Sequence, residues 1–487
     1  MLDNLKNEFN NTTTANGDKA FNSTTSYVLD LFSRGGAMRY ANYGEIETLV
    51  SKSFAENELL TLKALFYLRD IRKGQGERNL FRVGIKHLAK VSPDVVKANL
   101  ELFPEFGRWD DLLVLLDTKL KDDVLEVVKK QLTEDLLSLE NGETPSLLAK
   151  WLSSENTSSF ETKKKAKIIR QGLGLTPKEY RKSLSALRKE INILETKLTE
   201  KDYQSIEYDK IPSVAGLKYR NAFYRNDSER YVSFLDSLSK GEKSVNAGAL
   251  YPYDIASKIL GNGYWYKPEI TDENRALYEG MWKNLPNFIE EEENSLVMAD
   301  VSGSMFGRPM DVSVSLALYI AERNKGRFHN HFMTFSSEPS LVEVKGNDIV
   351  EKINNISRAE WGMSTDLSKA LNSILNVAIK DNLKQEDLPQ KLYIISDMQF
   401  NQGVDGTTSL ERAKKKFEDA GYKLPTIVFW NVNGSSNSPA TKNEYGVTLV
   451  SGCSPSILSF ALNCDKFTPY DFMLEVLESE RYNVVKV

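Results

Sequence analysis

The sequence predicts a two-part protein: an all-α region made of successive helices, followed by an α/β region with a doubly wound, mostly parallel sheet. Three observations carry that expectation. Amphipathic segments follow one another from about residue 45 without a convincing strand, a run of four glutamates occupies residues 290–293, and beyond it apolar strand-like stretches alternate regularly with helical ones. At 487 residues the chain is longer than one hydrophobic core usually spans, which points to two domains independently. The boundaries read as a flexible polar tail at 1–26, a helical domain at 27–290 and an α/β domain at 291–487.

The tail is rich in Asn, Thr and Ser, with Phe9 and Phe21 as candidate apolar anchors. In the helical region Leu59, Leu62, Leu65 and Phe66 recur at helical spacing. The same holds for Trp109, Leu112, Leu113 and Leu116, and for Val124, Val127, Val128 and Leu132. No repeat of fixed period is visible, so a stacked solenoid is inferred from the succession of helices alone. Pro177 to Thr199 reads as one long helix with Tyr180, Leu184, Leu187, Ile191 and Leu194 on its apolar face.

Past the glutamates, strands are expected at 295–300, 328–335, 391–396 and 425–430, and helices at 309–323, 366–380, 409–420 and 454–462. Val312, Val314, Leu316, Leu318 and Ile320 alternate with period two, as a strand would. Pro309 at the start, with Ala317 and Ala321 inside, favours a helix instead.

The strongest chemical signal is LVMADVSGSMFG at residues 296–307. An apolar strand runs into Asp300, Ser302 and Ser304, and Gly303 allows a tight turn before the helix. Two further oxygen-rich loops follow: Thr365 and Asp366 precede a helical pattern, and the strand Leu392–Ile395 ends at Ser396 and Asp397. Polar loops at the carboxyl ends of parallel strands are where such sheets place their sites. Hard oxygen donors suit Mg²⁺, or Mn²⁺ in its place.

Composition excludes several classes. With 41% hydrophobic and 27% charged residues the chain reads as an ordinary soluble protein. There is no apolar run of about 18 residues and no signal-peptide core, so a cytoplasmic protein is expected. Two cysteines, Cys453 and Cys464, make no zinc site. Neither RKGQGER nor GMSTDLSK has phosphate-loop spacing. His329 and His331, two apart, fall on one face of a strand and lack a third ligand.

Net charge is only −5, but residues 161–225 hold 16 Lys and Arg against 8 Asp and Glu, a local +8 that leaves −13 for the remainder. Lys163, Lys164, Lys165, Lys167, Arg170, Arg181, Lys182, Arg188 and Lys189 lie there, with Tyr180, Tyr219, Phe223 and Tyr224 interleaved. A second cluster, Arg69, Arg72, Lys73, Arg78 and Arg82, surrounds a flexible KGQG. Basic residues with aromatics suit phosphate contact and base stacking, and a solvated helix face is the plain alternative.

The D-x-S-x-S loop with Thr365 and Asp397 resembles the metal-ion-dependent adhesion site of the von Willebrand factor A domain, whose sheet is Rossmann-like. The resemblance implies that Asp300, Ser302, Ser304, Thr365 and Asp397 hold the metal, and that a carboxylate from a partner, or water, completes its shell. HEAT-like helical repeats ahead of such a domain resemble the Ro ribonucleoprotein (TROVE) architecture, in which the helical ring binds RNA. A more specific resemblance is to a plant, bacterial and phage family catalogued as a domain of unknown function. It is carried by RDIRKGQGER, FGRWDDLL, YRKSLSALRKEINILE, IPSVAGLKYRNAF, LVMADVSGSMFGRPMDVSVSL, EWGMSTDL and IISDMQF. The lysine- and asparagine-rich composition fits a low-GC bacterium or its phage.

These readings imply a non-catalytic RNA-binding scaffold with a Mg²⁺-dependent adhesion site. A metal-dependent protein adaptor without nucleic acid is the alternative, and a metal-dependent nuclease is a third reading, disfavoured because the site has few carboxylates and no second metal position.

Overall fold

The computed structural model describes residues 9–261, 268–289, 294–334, 339–357, 366–401, 408–434, 437–460 and 467–487. A short antiparallel hairpin, β1 (Asn11–Thr13) and β2 (Lys19–Phe21), precedes the helices. The helices of eight or more residues that follow are α1 (Tyr27–Gly35), α2 (Tyr43–Glu56), α3 (Glu58–Arg69), α4 (Arg78–Val91), α5 (Lys121–Glu140), α6 (Phe160–Gly172), α7 (Pro177–Glu190), α8 (Ser213–Asn226), α9 (Ser228–Ser239), α10 (Pro252–Leu260) and α11 (Asp272–Lys283). The second half runs β3 (Ser295–Ala299), α12 (Arg308–Arg323), β4 (His331–Thr334), β5 (Leu341–Glu343), α13 (Ile349–Ile356), α14 (Leu367–Lys380), β6 (Lys391–Ser396), α15 (Ser409–Asp419), β7 (Thr426–Asn431), β8 (Val447–Ser451) and α16 (Pro469–Leu477).

Helix ends follow capping chemistry. Asn42, Asn57, Ser159 and Thr176 each accept a first-turn amide, and Thr176 forms a reciprocal capping box with Glu179 ahead of Pro177. The expected long helix 177–199 is divided. It stops at Glu190, Asn192 takes a left-handed φ of 51°, and a short turn of helix resumes at Leu194. Asparagine tolerates that conformation far better than a branched residue would. Tyr180, Leu184 and Leu187 are buried as the spacing predicts.

The sheet has the order β5-β4-β3-β6-β7-β8 and is parallel except for β5 at one edge, which is antiparallel to β4. Alternate residues of its central strands serve two cores. Leu296, Met298, Leu392 and Ile394 pack with α14 and α15, whereas Val297, Ala299, Tyr393 and Ile395 belong to a core continuous with that of the helical half. Helix α12 lies in this second layer and is buried from Val312 to Ala321, which accounts for its apolar period of two: it is covered on more than one side. The segment expected as a helix at 454–462 contains a 3₁₀ turn, Pro455–Ser459, and strands β5 and β8 were not anticipated.

The ends of the described chain cross between the halves. Residues 11–21, expected as a flexible tail, form the hairpin and pair through Gly17 with Asn401 and through Phe21 with Ser438, while Phe9 is exposed. Beyond α16, Arg481 and Tyr482 bind Asp70 at the end of α3, with Arg481 Nη2 to Asp70 Oδ1 at 2.8 Å and the Tyr482 hydroxyl to Oδ2 at 3.1 Å. The KGQG segment, expected to be flexible, is part of this junction. Gly74 and Gln75 are buried, Gln75 Nε2 donates to the Tyr67 hydroxyl, Ser454 N donates to Gln75 Oε1, and Ser456 Oγ donates to the Gly74 carbonyl.

Candidate metal centre

The site is assembled where β3 and β6 end side by side. Register pairs Ala299 with Ile395, and the Asp300 amide donates to the Ile395 carbonyl at 2.9 Å, so the two strands deliver Asp300 and Ser396–Asp397 to the same edge. Asp300 is fully buried. Its Oδ1 accepts the Ser302 amide at 2.8 Å and its Oδ2 accepts the Ser396 hydroxyl at 2.6 Å. Ser302 Oγ and Ser304 Oγ are 3.1 Å apart, with Ser302 buried and Ser304 exposed. Gly307, at φ 87°, makes the reversal that starts α12.

On the third loop, Asp397 Oδ1 accepts the Gln399 amide at 3.1 Å, Ser396 Oγ accepts the Met398 amide at 3.1 Å, and Met398 sits at φ 63°. Burial raises the Asp300 carboxyl to about 6, and the neighbouring Asp397 charge adds to the rise against the bonds from Ser396 and Ser302. Among the described residues neither carboxylate has a Lys or Arg partner.

Four of the five expected ligands, Asp300, Ser302, Ser304 and Asp397, therefore sit on the loops that meet at this edge. Thr365 lies outside the described residues; Asp366 caps α14 by accepting the Lys369 amide at 2.9 Å. Sequence reasoning passed over Ser396 as a direct partner of Asp300, although it adjoins Asp397. It also passed over Asn433, whose Nδ2 donates to the Ser304 carbonyl at 3.3 Å. No local motif marks Asn433, because it reaches the loop from the far end of β7.

The histidines do not share a strand face. His331 opens β4, whereas His329 lies in the preceding turn with Nδ1 2.6 Å from the Asn324 carbonyl, and Asn330 between them is left-handed.

The basic residues divide sharply. Lys163, Lys164, Lys165 and Lys167 on α6, Arg181, Lys182 and Lys189 on α7, and Arg72, Lys73 and Arg78 are exposed. Arg170 is held by Glu155 at 2.7 Å. Arg188 turns inward to the carbonyls of Ala149 and Leu152 and the hydroxyl of Ser154, so its guanidinium serves the fold rather than a ligand. Arg69 and Arg82 are likewise bound to Asp111. Tyr180 and Phe223 are core residues that cannot stack on a base; Tyr224 is exposed.

Comparison with known proteins matches residues 14–171 and 144–294 to a domain of unknown function, DUF2828, together more than half of the chain. Residues 294–484 match a second, DUF7788. Uncharacterized protein L728 of Acanthamoeba polyphaga mimivirus is 31% identical over 517 residues, covering 97% of this chain and 88% of that protein. Matched over more than half of its length in this way, the chain belongs to the DUF2828 family, and its residues 294–484 match the DUF7788 model.

Proposed function

We propose that the protein is a non-catalytic RNA-binding scaffold of Ro-like plan, whose second half is a von Willebrand A-type domain that holds Mg²⁺ and offers it to an acidic group of a partner. The observation that carries the metal half is the convergence of Asp300, Ser302, Ser304 and Asp397 at adjoining strand ends, with two buried or nearly buried carboxylates and no cationic side chain against them among the described residues. The donor set fits the ion: all are hard oxygens, as Mg²⁺ and Mn²⁺ prefer. Asp300 and Asp397 supply charge, Ser302 and Ser304 supply neutral oxygens, and Ser396 orients Asp300. A bound cation that so few anionic groups neutralise retains attraction for an external carboxylate, which suits recognition rather than hydrolysis.

The RNA half rests on the exposed lysines of α6 and the exposed cations of α7, and on HEAT-like stacking of the helices as the scaffold that carries them. Calorimetric titration with Mg²⁺ tests the first half: uptake by the native chain and none by Asp300→Ala are expected, and no uptake at millimolar Mg²⁺ refutes it. For the second half, gel-shift affinity for single-stranded RNA should fall steeply with salt and weaken on replacing Lys163, Lys164 and Lys165 by Glu. Salt-independent binding, or none, refutes that part and leaves the metal-dependent protein adaptor. Degradation of RNA that needs Mg²⁺ and Asp300 would instead establish the nuclease.

A further inference from the structure

The motif FGRWDDLL contains a guanidinium that stacks on a ring without a hydrogen-bonded counter-charge among the described residues. Asp111 is fully buried and accepts from Arg69 Nη2 at 2.6 Å, from Arg82 Nε at 2.6 Å and from the Arg108 amide at 2.9 Å; Asp110 pairs with Arg82 at 2.6 Å. The Arg108 guanidinium itself has no hydrogen-bond or carboxylate partner among the described residues. It lies half-buried over the ring of Trp151, 4.9 Å from the centroid. Its proton affinity is lowered by burial and by the like charges of Arg69 and Arg78, against the pull of Asp110 and Asp111.

Arg69, Arg82 and Arg108 thus stand about Asp110 and Asp111, one positive charge in excess, and Arg78 adds a like charge felt by Arg108. Arg78, at the first turn of α4, is exposed, and Lys150 Nζ lies 5.9 Å from the Trp151 ring and only loosely paired with Glu195 at 3.9 Å. Desolvating an arginine without a counter-charge costs stability, so an anion that supplies the charge and accepts the free N–H fork is favoured at this point.

We propose that Arg108, held on Trp151 and flanked by Arg78 and Lys150, is a phosphate-binding subsite that takes one phosphodiester of single-stranded RNA; the identity of that ligand rests on the RNA reading above. Planar guanidinium against a phosphate gives the two-pronged bond that a point charge does not.

The test titrates the full chain with a fluorescein-labelled dodecauridylate by anisotropy, and separately with inorganic pyrophosphate by tryptophan fluorescence, with Trp151→Phe identifying the responding ring. Arg108→Met is expected to weaken the oligonucleotide about ten- to hundredfold, to abolish the pyrophosphate response, and to leave the melting temperature unchanged or raised, because it removes an uncompensated cation. Arg108→Lys, which preserves charge, should bind more weakly than the native chain.

Native binding of the oligonucleotide that Arg108→Met and Arg108→Lys leave unchanged overturns the subsite while the RNA reading stands. An Arg108-dependent pyrophosphate response without oligonucleotide binding sustains the subsite and overturns the RNA reading. A native chain that responds to neither probe overturns both.

Discussion

Asp111 offers the sharpest measure of how much of the basic character in this chain is structural. Asp111→Asn keeps the side-chain shape but removes the charge shared by Arg69, which is 2% exposed, and Arg82. Two charge-assisted contacts from Arg69, one from Arg82 and the Arg108 amide bond all end on this carboxylate. Breaking a buried pair strands an ion that water cannot reach, at about 3–5 kcal/mol. That is a large share of the ~5–15 kcal/mol that holds a typical domain. Urea unfolding followed by far-ultraviolet circular dichroism should show a midpoint lowered accordingly. Arg69→Met with Asp111→Leu should recover part of the loss, because the pair is removed together with its desolvation cost. A loss below about 1 kcal/mol, the level of an exposed pair, would refute the reasoning and return Arg69 and Arg82 to the pool of available cations.

Three further outcomes follow from the geometry. The Asp300 carboxyl is raised from 3.8 to about 6, so the folded state holds its proton more tightly than the unfolded one; with metal chelated, the contribution of this group to stability should fall by about 3 kcal/mol as pH rises from about 4 to about 6. Asp300→Asn should flatten that slope in thermal melts, and an unchanged slope would remove Asp300 as its source. Gly452 has φ 106° and an added Cβ would come 2.2 Å from Gln75 Oε1, so Gly452→Ala should cost about 2–5 kcal/mol by chemical denaturation; a neutral substitution would mean that the junction between the halves is loose. Asp18 accepts from Ser409 Oγ at 2.6 Å and Arg412 Nη2 at 3.1 Å, and Thr14 Oγ1 donates to the Phe400 carbonyl at 2.6 Å, so Asp18→Ala should speed amide exchange at residues 398–401. Exchange that matches the native chain there would show that the hairpin does not restrain the Asp397 loop.

Local periodicity carried much of the architecture. The strands near 295, 391 and 426 and the helices at 308, 367 and 409 all announce themselves within a dozen residues, because burial of one face leaves its spacing in the chain. The oxygen-rich loops were legible for the same reason, since strand ends and turn residues are local features. Arg188, Arg69 and Gln75 were misjudged because their partners lie far away in sequence or inside helices that hide them: Arg188 reaches back to Ala149, and Gln75 meets Ser454. Exposure could not be read from charge, and within the run KGQG, which looks like a loop in isolation, Gly74 and Gln75 are covered once residues 452–456 pack on them. The hairpin at 11–21 was missed because its three-residue strands are too short and polar to leave a period, and their pairing is set by Asn401 and Ser438 at the other end of the sequence.

The clasp of Asp70 by Arg481 and Tyr482 bears on how the protein is made. Its two sides are 411 residues apart, so at ordinary bacterial or eukaryotic translation speeds the first waits roughly 20–80 s for the second. During that interval the end of α3 and the Tyr67 surface beside it stand open to solvent on the nascent chain. A chaperone that shields apolar surface has a defined window there, and a ribosome stalled anywhere before residue 481 would release a helical half whose seam has never closed.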